Sequence, residues 1–94
     1  MKFKIDVCYM PIVSSVEEEK FKHDIYTMDL DLITSSRQIT GIIESIIANS
    51  MLYKTNTVIE SVAVFCPTKE ITETLNGYYA PAHGINVSIY CIGP

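Results

Sequence analysis

The sequence predicts an α+β fold: a two-layer α/β sandwich whose four-stranded, mostly antiparallel sheet carries one long amphipathic helix and one short helix in the order β-β-α-β-α-β. Three observations predict it. Four segments have the alternation or the apolar run of strands, one segment repeats isoleucine at helical spacing, and 94 residues leave room for one core only. Residues 1–94 therefore read as a single domain, with no repeat and no linker-like shift in composition.

The first strand runs from Lys2 to Ile12. Phe3, Ile5, Val7 and Tyr9 point one way and Lys4, Asp6, Cys8 and Met10 the other, until Pro11 and the Ser14-Ser15 pair end it. Residues 14–22, with Glu17 to Glu19 behind two serines, fit a short helical turn or an acidic loop equally. Alternation returns from Phe21 to Ile33, where Tyr26, Met28, Leu30 and Leu32 oppose Thr27, Asp29 and Asp31. This predicts a second strand antiparallel to the first.

The long helix spans Ser36 to Tyr53, because Ile39, Ile42, Ile43, Ile46, Ile47 and Met51 make one stripe. Ser35 caps it, and Gln38 completes a capping box. Gly41 weakens it locally by about 1 kcal/mol relative to Ala. β-branched residues are mediocre helix formers, so packing of the stripe must hold the helix, at about 1.5 to 3 kcal/mol for each buried isoleucine. Val58 to Cys66 reads as a mostly buried central strand stopped by Pro67. Thr68 caps a short helix to Asn76 with Gly77 at the C′ position. The last strand runs from Ile85 to Ile92.

Composition narrows the function. Apolar residues at 48% and charged residues at 19% exclude a disordered chain. A net charge of −4 disfavours binding to a nucleic acid polymer, and it also falls short of a dense nucleic-acid mimic. The N-terminus alternates charged and apolar residues, unlike an export signal, and no apolar run approaches the ~20 residues of a spanning helix. Three dispersed cysteines, Cys8, Cys66 and Cys91, suggest buried thiols in a reducing cytoplasm rather than a disulfide framework. No cofactor or metal is expected: there is no CxxC or HxxxH pair, and outward carboxylates such as Asp29 and Asp31 are usually solvated.

Two polar clusters are candidate ligand sites. Thr34, Ser35, Ser36 and Arg37 bring hydroxyls, free N–H groups and the only arginine to a helix N-terminus, where an anion could sit, although capping by Ser35 beside a solvated Arg37 is the commoner arrangement. The loop at 76–84 offers Tyr78, Tyr79 and His83, a make-up suited to contacts and equally to a structured turn. If the two clusters meet, the chain is a module for a phosphate-containing ligand or nucleotide. His83 could serve as a general base, which keeps a small enzyme as a third reading, but no nucleophile or acid partner is identifiable and a non-enzyme is expected.

One long helix cannot cover both faces of the sheet. The outer face is expected to display some of Cys8, Met10, Ile25, Val62, Val64, Tyr90 and Ile92, more apolar surface than monomers leave wet. The expected function is a small acidic, non-catalytic binding protein acting as a homo-oligomer in an inhibitory or sequestering role, whose partners are its own copies and a protein or small anionic ligand. The 14 isoleucines and absence of Trp suit an accessory protein from an AT-rich genome such as a virus or phage.

Overall fold

A computed structural model describes residues 1–11, 22–31, 35–53, 57–78 and 85–92. It contains β1 (Lys2–Pro11), β2 (Lys22–Asp29), α1 (Ser36–Tyr53), β3 (Thr57–Cys66), α2 (Lys69–Tyr78) and β4 (Asn86–Cys91). The expected order and class are those observed. The sheet runs β2-β1-β3-β4, with β1 antiparallel to both β2 and β3, and β3 parallel to β4.

β2, β3 and β4 therefore all point the same way. Each helix must return from the carboxyl end of one of these strands to the amino end of the next: α1 passes over β1 between β2 and β3, and α2 joins β3 to β4. Both helices pack on one face, and their residues join a single apolar cluster of Phe3, Ile5, Val7, Ile39, Ile43, Ile47, Val62, Val64, Cys66 and Leu75.

Local chemistry accounts for the helix limits. At α1, the Gln38 N–H donates to Ser35 Oγ at 3.3 Å, while the Ser35 N–H donates to Gln38 Oε1 at 2.9 Å, so the two residues satisfy each other's groups. At α2, the Ile71 N–H donates to Thr68 Oγ1 at 3.2 Å. Gly77 does not stop α2, which continues to Tyr78; Gly77 keeps helical backbone there and has no need of a left-handed cap. β2 and β4 are shorter at their ends than the alternation suggested, and residues 12–21 lie outside the described set.

Strand register corrects two expected surface residues. Val62 pairs with Val7 and Val87, and Val64 pairs with Ile5 and Ile89, so both valines point at the helices. They are 1% and 0% exposed and belong to the core, not to an outer interface. Met51 also departs from its expected burial at 54% exposure. α1 buries Ile39, Ile43, Ile47 and then Ser50, following a period near 3.6 that reaches the polar residue before the methionine.

A candidate binding face on the open side of the sheet

The face turned away from the helices is built in rows by the register. Lys2 pairs with Asp29; Lys4 stands between Thr27 and Phe65, which pairs with Tyr90; Asp6 stands between Ile25 and Ala63, which pairs with Ser88; Cys8 stands between His23 and Ser61, which pairs with Asn86. Beyond Cys8 the pairing of β1 skips from Ser61 to Ile59, leaving Glu60 as the extra residue of a bulge.

An aromatic pair dominates one end. The Phe65 and Tyr90 rings stack with centroids 5.5 Å apart and an angle of 26°, and Lys4 Nζ lies 5.4 Å from the Phe65 centroid. Tyr90 is 49% exposed, and Ile25 and Ile92 are each 56% exposed. Ile92 closes a groove of about 450 Å³ together with Lys2, Lys4 and Thr27. The middle of the face is shallow because Ser61, Ala63 and Ser88 are small.

Charge is polarised along the strands. At the aromatic end, Lys2 and Lys4 add positive charge while the neighbouring carboxylate is occupied: the N-terminal ammonium donates to Asp29 Oδ1 at 2.8 Å. That hydrogen bond, then the ammonium's charge, lowers the Asp29 carboxyl from its ordinary range. Towards the other end stands Asp6, with His23 Nδ1 2.8 Å from Asp6 Oδ1.

The residues expected to bind or associate fall in different places. Met10 is half-buried beside exposed Val58, and Met10, Ile25, Tyr90 and Ile92 all lie on the open side. Ser35 is committed to capping, Ser36 is half-buried and Arg37 is exposed. α1 begins at the carboxyl end of β2, whereas α2 ends with Tyr78 at the amino end of β4. Ser35 to Arg37 and Tyr78 thus lie towards opposite ends of the sandwich, since α2 carries the chain from the end where α1 begins back to the other. Tyr79 and His83 lie outside the described residues.

Phe65 went unnoticed in the sequence because Val58 to Cys66 reads as one apolar run. Counting back from Cys66 by twos would have put Val62 and Val64 inside and Phe65 out. Among the described residues no three His, Cys, Asp or Glu side chains gather as metal ligands, and no helix is long and apolar enough to cross a membrane. Cys66 is a poor nucleophile, since burial pushes its thiol above the usual cysteine range despite the opposing hydrogen bond with Thr72. Comparison with protein-family models, curated proteins and solved structures finds no match.

Proposed function

We propose that the protein is a small non-catalytic binding protein that works as a homo-oligomer, two copies closing their open sheet faces on each other and acting on a partner by sequestration. The observation that carries this reading is the uncovered Phe65–Tyr90 stack, flanked by Ile25 and Ile92 on a face whose charge changes sign along the strands.

A second copy suits that face. Consider a two-fold axis lying between the faces and running across the strands, midway between the Lys4 and Asp6 rows. It places Lys4 over the partner's Asp6, Phe65 over the partner's Ala63, and Tyr90 over the partner's Ser88. Opposite charges meet, and large rings meet small side chains.

The extent of the face sets the strength. Four strands at ~4.8 Å spacing and six steps of ~3.3 Å give about 400 Å² in projection. That is roughly half the ~800 Å² per partner of a standard interface, which predicts a reversible dimer rather than an obligate one. Sedimentation velocity over a range of protein concentrations tests it. Tyr90→Glu abolishes the dimer while leaving the circular dichroism spectrum intact; a dimer that survives this change refutes the open-face interface.

A further inference from the structure

At the end of the sandwich away from Lys2 and Lys4, the last turn of α1 overhangs the amino ends of β3 and β4 and leaves a pocket of about 480 Å³. That size lies within the range of small-molecule sites. Its walls include the apolar Met51, Ile59 and Ile85, with Ser50, Glu60 and Asn86 as polar members.

Ser50 is out of place by the rules the rest of the chain obeys. It occupies the core-facing stripe of α1 behind Ile39, Ile43 and Ile47, is 4% exposed, and its hydroxyl has no hydrogen-bond partner among the described residues. A helical hydroxyl can satisfy itself on the carbonyl one turn back. Thr40 does so on Ser36 at 2.8 Å, Thr72 on Thr68 at 2.8 Å and Thr74 on Glu70 at 2.9 Å. Ser50 does not, and an unmet buried hydroxyl is destabilising unless something else meets it.

The electrostatics around it favour a cation. The C-terminal pole of α1 is negative, its last turn carries no basic side chain, and Glu60 lines the same pocket. We propose that this pocket binds a small amphipathic amine, its ammonium donating to Ser50 Oγ and the Glu60 carboxylate and its hydrocarbon lying against Met51, Ile59 and Ile85. The residues that line the pocket all belong to one copy.

The test is a titration with n-butylammonium, 1-butanol and butyrate followed by amide shifts in two-dimensional NMR. It is run on the full chain and on Lys54→Gln, which removes the ammonium next in sequence after the helix. The amine produces saturable shifts at Ser50, Ile59 and Asn86 in at least one of these proteins, and butyrate produces none. Glu60→Gln weakens amine binding by about tenfold, the loss expected for a charge-assisted hydrogen bond. Ser50→Ala also weakens binding, yet raises the melting temperature of the free protein by about 5 °C because it removes the unmet hydroxyl. A serine with a purely structural role would shift stability the other way. No saturation by the amine in either protein, butanol binding as tightly as the amine, or affinity unchanged in Glu60→Gln overturns the proposal.

Discussion

Ile43→Ala isolates what the isoleucine stripe contributes. Ile43 is 0% exposed and sits in the cluster with β1, β3 and Leu75. The change removes three carbons, worth about 2.4 kcal/mol at ~0.8 kcal/mol each, and leaves a cavity that raises the total towards about 3 to 4 kcal/mol. At ~0.05 to 0.15 kcal/mol per residue, a chain of 94 residues has about 5 to 14 kcal/mol in all. One methyl-rich side chain thus accounts for a large share of the stability. Met51→Ala is the matched control on the same helix, because Met51 is 54% exposed and loses little packing. Urea titration followed at 222 nm measures both: Ile43→Ala should lower the midpoint by more than about 1 M, given slopes of ~1 to 3 kcal/mol/M, and Met51→Ala by a few tenths. Equal midpoints for the two variants would refute the assignment of the buried stripe.

Two further outcomes follow from titratable groups. Asp29 has a lowered carboxyl in the folded chain, so its contribution is present above the unfolded carboxylate range and is lost as pH falls through the folded value. Asp29→Asn should flatten the acid limb of the stability curve, and an unchanged slope contradicts the pairing with the N-terminal ammonium. Cys66 should react with a disulfide reagent at the rate of global unfolding, because it is fully buried with a raised thiol. Half-buried Cys8 should react far faster in the native state, which time-resolved labelling with peptide mapping can check.

The parts of the fold legible in the sequence are those held by short-range rules. α1 starts and ends where the isoleucine period and the Ser35–Gln38 box place it, because both act within a few residues. Alternation located β1 and its facing for the same reason. Gly77 misled because a C′ position is only one place where glycine is tolerated, and α2 absorbed it in its last turn. Val62 and Val64 misled because a run of Val, Ala and Phe has no polar marker of facing. Only pairing with Ile5 and Val7 across β1 decides it. The Phe65–Tyr90 stack and the polarity of charge over the open face depend on which strands are neighbours, and so does the distance between the Ser35 cluster and Tyr78. Strand order is set by long-range packing that one sequence does not display.

Sedimentation equilibrium on a charge exchange tests the homo-oligomeric reading most directly. Lys4→Asp and Asp6→Lys each place like charges opposite one another across the proposed two-fold and should weaken the dimer at least tenfold. The double variant restores opposite charges on both sides, so its dissociation constant should return towards that of the native chain. Native protein that stays monomeric at millimolar concentration, or a double variant no better than either single one, would contradict association through this face.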